Sequence, residues 1–228
     1  MAMTQPEITR HERDSLSGFL TRKSFEVELE RRLSAAKKHD RIVSLGFLDV
    51  DHFKRVNDEH GHAVGDAVLR HVVEAIRENI SGDIHVGRYG GEEFALLFDG
   101  TEREQAFLQI ERIRAAMDQV TEYRGETQAV TERITISGGV AGYPTDGVTL
   151  NEIMRKADQA LYRAKTTGRN KICIAQEERM ATKTTHYTLT QLERLSALAQ
   201  EQSIGEAALL REALDDLLIK YKVSEIES

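Results

Sequence analysis

The stretch that most restricts what this chain can fold into is Arg88-Tyr89-Gly90-Gly91-Glu92-Glu93-Phe94, set between two strand-like runs. Val86–Tyr89 leads in and Phe94–Phe98 leads out. A Gly-Gly pair between strands predicts a two-residue hairpin, because such turns need φ > 0 at their central positions. Two carboxylates directly after the turn are then held together at the rim of a sheet. Like charges that close are costly without a cation to share, and such a pair suits the holding of metal ions. A solvated hairpin tip is the reading that the motif by itself leaves open.

The segments around the hairpin alternate in kind. Arg22–Lys38 has Phe25, Leu29, Leu33 and Ala36 at helical spacing, and Ile42–Leu48 is a short apolar run that reads as a buried central strand. Asp66–Ile80 and Glu102–Met117 return to helical spacing. Ile134–Gly142 reads as a strand, Leu150–Lys165 as a helix and Lys171–Ala175 as a last short strand. Residues 1–13 form a polar tail without pattern. Helices alternating with strands around one hairpin predict an α/β fold, a mixed sheet with helices covering its faces.

Composition narrows the function classes. With 40% hydrophobic and 30% charged residues the chain is globular rather than disordered. A net charge of −7 disfavours indiscriminate binding to nucleic acid or anionic membrane, so a polyphosphate ligand needs a local basic cluster or metal ions. Cys173 is the one cysteine, which excludes an internal disulfide and fits a reducing compartment. No apolar run approaches the ~20 residues of a membrane helix, and no signal-peptide core opens the chain. A cytoplasmic location without membrane contact is expected.

Asp49-Val50-Asp51-His52-Phe53-Lys54 stands at the carboxyl end of the first long strand, the place where open α/β sheets bind ligands. Asp49, Glu92 and Glu93 would supply three carboxylates for hard divalent cations. Asp51 belongs to the same cluster. Lys54, Lys165 and Arg169 would answer phosphate charge. Asn57 and Asp66 flank the turn Gly61-His62-Ala63-Val64-Gly65, and an Asn amide with an Asp carboxylate can read the donor edge of guanine. Structural roles are open for several of these. Asp66 would serve as a helix cap, and Lys165 and Arg169 as charges favoured at a helix C-terminus. His60 and His62 lack a third metal ligand at matching spacing and read as turn residues.

Taken in order, these blocks resemble the GGDEF family of diguanylate cyclases over residues 14–175. The blocks are Asp14-Ser15-Leu16-Ser17-Gly18-Phe19, Asp49–Lys54, Asn57-Asp58, Gly61–Asp66, the signature Gly90–Phe94 in its GGEEF form, and Ala157–Lys165 followed by Gly168-Arg169-Asn170. Ser17 and Phe19 are mild departures. The resemblance implies a palm-like sheet that condenses two GTP into cyclic di-GMP and two pyrophosphates. It implies Mg²⁺ (or Mn²⁺) on Asp49, Glu93 and the Val50 carbonyl, with Glu92 supporting a second metal site and deprotonation of the 3′-hydroxyl. It ranks Asp49 above Asp51. Asn57 and Asp66 would bind guanine; Lys54, Lys165 and Arg169, with Phe53 and Gly91 beside them, would complete the GTP site. Each subunit would hold one GTP, so the active enzyme has to be a dimer.

Many family members carry an inhibitory R-x-x-D just ahead of the Gly-Gly pair. Here those two positions are Ser81 and Ile84, with Asp83 one place out of register, so weak feedback inhibition by that route is expected. Retained Asp66 favours GTP over mixed substrates. An alternative is a catalytically silent domain that senses GTP in a DNA-binding regulator, against which the intact Asp49, Glu92, Glu93 and Lys165 argue.

After the polar stretch 176–183, residues 184–222 resemble a ribbon-helix-helix module. Thr184–Leu189 reads as a strand, Gln191–Gln202 and Gly205–Tyr221 as helices. Such modules are intertwined dimers whose paired strands usually enter the DNA major groove. From Met180 onward five Lys and Arg face eight Asp and Glu, a formal −3, and of the five only Lys183 lies at the ribbon. Homodimerisation is therefore expected over DNA binding.

Overall fold

The computed structural model describes residues 12–125, 129–176 and 183–202, and beyond them 205–207, 209, 210, 213, 214 and 217. The chain divides into two units, Met1–Glu177 and Glu178–Ser228. In chain order the first unit runs β1 (Leu20–Thr21), α1 (Arg22–His39), β2 (Val43–Val50), α2 (Phe53–His60), α3 (His62–Asn79), β3 (Ile84–Arg88) and β4 (Glu93–Asp99). It continues through α4 (Arg103–Gln119), β5 (Glu122–Arg124), β6 (Ala129–Thr131), β7 (Ile136–Tyr143), α5 (Leu150–Thr166) and β8 (Ile172–Ile174).

Every residue of β2 is buried, which requires a helical layer on each face of the sheet. Side chains alternate along the strand, and the two sets find different partners. Val43, Leu45 and Phe47 pack with Phe25, Leu29 and Leu33 of α1 and Ile153, Ala157 and Leu161 of α5. Leu48 and Val50 pack with Val64, Val68 and Val72 of α3 and Ile110, Ile113 and Met117 of α4. The six-stranded sheet has the order β1-β3-β4-β2-β7-β8. β2 is antiparallel to both β4 and β7, while the pairs β1/β3 and β7/β8 are parallel. This is the palm-like mixed sheet that the sequence leads one to expect; β5 and β6 form a separate hairpin.

Four local expectations are corrected. Gly61–Gly65 is not a turn: Gly61, at φ +81°, separates α2 from α3, and α3 is already under way at His62. His60 and His62 therefore lie in helices. Neither Gly90 nor Gly91 has positive φ, and β3 and β4 are joined through Tyr89–Glu92 rather than by a two-residue turn. The glycines serve space instead, since a Cβ on Gly90 would lie 2.3 Å from Glu93 Oε2. Finally, residues 183–188 form no strand.

In the second unit α6 (Leu189–Gln202) is preceded by a capping box: the Thr188 hydroxyl accepts from Gln191 N–H at 3.2 Å, and Gln191 Oε1 accepts from Thr188 N–H at 2.9 Å. This ends the extended segment in favour of a helix, and a ribbon strand has no second strand within one chain to satisfy its backbone groups. Leu189, Leu192 and Leu198 are exposed, Leu189 by 79%. Further on, residues 206, 207, 209, 210, 213, 214 and 217 are helical, with Leu210, Leu214 and Leu217 exposed. The expected helix end at Tyr221 and most of the 176–183 linker lie outside the described residues.

Candidate active site

Asp49 continues the Val43–Leu45–Phe47 row, and Glu93 continues the row of Leu97 and Ala95, so both turn toward the α1/α5 layer. They stand directly opposite each other in the β2/β4 ladder. The last turn of α5 brings Lys165 to the same place, its Nζ 2.8 Å from Asp49 Oδ2. That reach depends on Gly139 of β7: a Cβ there would lie 2.1 Å from the Ala157 carbonyl oxygen and 2.2 Å from Leu161 N. The missing side chain lets the α5 backbone lie almost on the sheet.

Asp49 is only 4% exposed. Burial pushes its carboxyl up; Lys165 pulls it back, Glu93 and Asp51 push it further, and the balance is above the usual carboxylate range. Glu92 is raised too, first by burial, then by Asp49 and Glu93, with Lys165 opposing. Asp49, Glu92, Glu93 and Lys165 are thus one electrostatic unit, three acids to one ammonium. The donor set is all oxygen, as hard divalent cations require, and an ammonium already stands where positive charge is demanded.

Asp51, expected in the same cluster, is instead taken up by Thr135 and Ser137 hydroxyls and the Asn170 backbone N–H. Arg169 is exposed in the loop after α5, its Nε 4.0 Å from Asp51 Oδ1. Asn57 packs on the first turn of α3, where a Cβ on Gly65 would lie 2.0 Å from Asn57 Oδ1 and 3.2 Å from the Phe53 ring. Asp66 follows Gly65, so the two expected guanine readers lie on neighbouring turns of α2 and α3; Asp66 is no cap, since Gly61 holds that position. Lys54 is exposed in the first turn of α2, after His52 at φ +59°. Exposed Gly91 offers its carbonyl to Arg88 Nη2 at 2.7 Å.

That last contact belongs to a clamp that sequence reasoning missed. Arg88 also reaches both carboxylate oxygens of Asp14 at 3.3 Å, tying the hairpin loop to Asp14–Phe19. Burial pushes the Asp14 carboxyl up, but the Ser17 N–H and hydroxyl and Arg88 outweigh it and leave it low. His60 is grouped with Glu59 and Glu132 rather than with His62. Among the described residues, Glu59, His60 and Glu132 form the group whose ligand atoms lie within 4.8 Å of one another. Arg55 pairs with both of its carboxylates, which makes it an ion-pair network. Also among the described residues, no helix is long and apolar enough to cross a membrane.

Fold and site together define a palm-like sheet whose acidic residues face one another across its central strands. Solved domains of this architecture align with it. The GGDEF domain of DgcB from Caulobacter crescentus, in complex with c-di-GMP, superimposes with a TM-score of 0.67 at 31% identity, covering 77% of this chain and 100% of that one. The active GGEEF domain of a diguanylate cyclase from Vibrio cholerae gives 0.64 at 32% identity, covering 69% and 98%. Among curated relatives, the probable diguanylate cyclase DgcT of Escherichia coli is 40% identical over 162 residues, which is 71% of this chain and 35% of that protein. The chain thus spans about a third of that relative's length. Residues 11–171 match the family described as diguanylate cyclase, GGDEF domain, and the chain belongs to it.

Proposed function

We propose that the chain condenses two GTP into cyclic di-GMP and two pyrophosphates. The observation that carries this reading is the register pair Asp49–Glu93 with Lys165 closed on it at 2.8 Å. These groups have more negative charge than they can neutralise themselves, as a site made for cation-bound polyphosphate requires. Bound Mg²⁺, or Mn²⁺ in its place, would supply Lewis-acid charge neutralisation at the phosphates, held by Asp49, Glu93 and the Val50 carbonyl. Glu92, raised by burial and by Asp49, is tuned toward accepting the proton of the 3′-hydroxyl and supports the second metal site. Asn57 and Asp66 bind guanine on the α2/α3 step. Lys54, Lys165 and Arg169 hold the β- and γ-phosphates, with Phe53 and Gly91 shaping the path between base and phosphates. Positioning and charge neutralisation then supply most of the rate of an in-line attack on the α-phosphorus.

One domain offers one nucleotide, so two copies must face each other. Residues 184–222 supply the homodimer through the leucines that α6 leaves exposed, and a constitutive dimer raises the local concentration of the second half-site. The division between Glu177 and Glu178 supports a separate module after a 14–175 cyclase domain. DNA is the less favoured partner on the charge balance given above. Feedback through R-x-x-D is weak in this reading, since Ser81 and Ile84 lack the charges and Asp83 is paired with Arg32 at 2.8 Å. The location is cytoplasmic, where GTP is available.

The test is incubation of the purified chain with GTP and MgCl₂ and chromatography of the products. Wild type is expected to yield cyclic di-GMP, and Glu92→Ala and Glu93→Ala none. Bound GTP without product would refute the cyclase and favour the silent nucleotide sensor.

A further inference from the structure

Asp51 lies just beyond β2 and is 5% exposed. Its Oδ2 accepts from Thr135 Oγ1 at 2.7 Å and from Asn170 N–H at 3.0 Å, and its Oδ1 accepts from Ser137 Oγ at 2.7 Å. One buried carboxylate thereby joins three separate segments: the end of β2, the start of β7 and the loop between α5 and β8. An ionised carboxylate, an acceptor only, suits three converging donors.

The loop it holds is not a relaxed one. Arg169 and Asn170 have φ of +58° and +47° in succession, the left-handed region that asparagine tolerates and arginine avoids. Such a pair persists only when its surroundings hold it. Asp51 takes the Asn170 N–H, the Asn170 side-chain oxygen accepts from Arg114 Nη1 at 2.8 Å, and Arg169 N–H closes on the Ala164 carbonyl at 2.9 Å. The Arg169 guanidinium is left in solvent over Asp51, with Nε 4.0 Å from Oδ1 and the side chain 43% exposed.

We infer that Asp51 is a positioning residue: it locks the left-handed Arg169–Asn170 pair onto the sheet and so fixes where the Arg169 guanidinium meets the terminal phosphates of GTP. The inference rests on the reading of Arg169 as a phosphate ligand. It assigns Asp51 a role distinct from metal binding, in spite of its place two residues from Asp49. Asp51→Asn is the informative change. The amide keeps the shape but loses the negative charge, and its NH₂ must replace one oxygen: in the place of Oδ2 it meets the Asn170 N–H donor to donor, and in the place of Oδ1 it makes the Ser137 hydroxyl turn from donor to acceptor.

The experiment is calorimetric titration of the full chain with GTP in its 3′-deoxy form, which lacks the attacking hydroxyl and so binds without turnover, and with GMP, each with Mg²⁺, for wild type, Asp51→Asn, Arg169→Ala and the double variant. Asp51→Asn and Arg169→Ala are each expected to weaken GTP binding about ten-fold and to leave GMP binding within about two-fold, because GMP lacks the phosphates concerned. The double variant is expected to bind GTP no more weakly than Arg169→Ala alone. Losses that multiply in the double variant, or an equal loss for GMP, would make Asp51 a general structural tie and overturn the inference. An unchanged GTP affinity in Arg169→Ala would overturn the phosphate reading itself, and the inference with it. Wild type that binds GTP without turnover would sink the cyclase while leaving this cycle decisive. Should Asp51→Asn fail to fold, Ser137→Ala, which removes one hydroxyl from the same carboxylate, gives the same cycle with an expected loss of about three-fold.

Discussion

Gly139→Ala joins packing to chemistry through one added methyl group. The new Cβ would lie 2.1 Å from the Ala157 carbonyl oxygen and 2.2 Å from Leu161 N, against an ordinary contact of 3.4–4 Å. Both neighbours are backbone, so no side chain can swing aside, and α5 must back away by ~1 Å. Overpacking of this kind costs about 1–3 kcal/mol. The retreat also carries Lys165 from its 2.8 Å contact with Asp49, and a ~1 Å misplacement in a site costs on the order of 10²-fold in rate. Urea unfolding of the variant should show the midpoint falling with the slope unchanged, and cyclic di-GMP formation should drop about 100-fold under conditions where the variant is fully folded. Gly205→Ala, where a Cβ meets nothing within 4 Å, is the control and should change neither. If Gly139→Ala unfolds within about 0.5 kcal/mol of wild type and keeps its activity within about three-fold, α5 does not depend on that close approach and the reasoning fails.

Asp49→Asn should abolish cyclic di-GMP formation and also the stabilisation expected of wild type with Mg²⁺ and unreactive 3′-deoxy-GTP, about 2.7 kcal/mol at a hundred times Kd; a thermal scan with and without both additions decides it. Glu28, buried on α1, is lowered first by Arg31 and then by Arg32 against the cost of burial, to about 2 from 4.5. Because its folded pKa is depressed, its stabilisation is full above pH 4.5 and is lost as pH falls toward 2. Glu28→Gln is therefore expected to cost about 2–3 kcal/mol at pH 7 and to flatten acid unfolding in that window, read by urea titration at several pH values. Leu192→Glu with Leu198→Glu should turn a dimer into a monomer in light scattering and make the cyclase rate second order in protein; an unchanged dimer would refute assembly through α6.

The long elements were legible because their patterns are local. The apolar spacing of Arg22–His39 or Leu150–Thr166 survives in the structure to within a residue or two. What escaped was short or non-local. α2 has eight residues with only Phe53 and Val56 buried, too few turns for a period to show, and without it the start of α3 read as a turn. The partners of Asp51 come from 84 and 86 residues away, so no spacing rule links them to it. At Gly90-Gly91 the residues were right and the reason was not: room for the Glu93 side chain, rather than a left-handed backbone, is what Gly90 provides. The acidic trio could be placed at one rim from the Gly-Gly loop and the end of the strand, but the Arg88–Asp14 clamp that holds its loop joins positions 74 apart.

The opposition of Asp49 to Glu93 makes the site a matter of reading frame. Along β2 the odd positions face α1 and α5 and the even ones α3 and α4, and Asp49 shares its side with Lys165 because of that count. A single residue gained or lost between Val43 and Asp49 sends the carboxylate to the other layer and buries it among the apolar side chains of α3 and α4. Two residues restore the side but slide Asp49 off Glu93 along the ladder. The strand can therefore vary in which apolar residues it carries, but not in how many. Its length is as much a part of the chemistry as its acids.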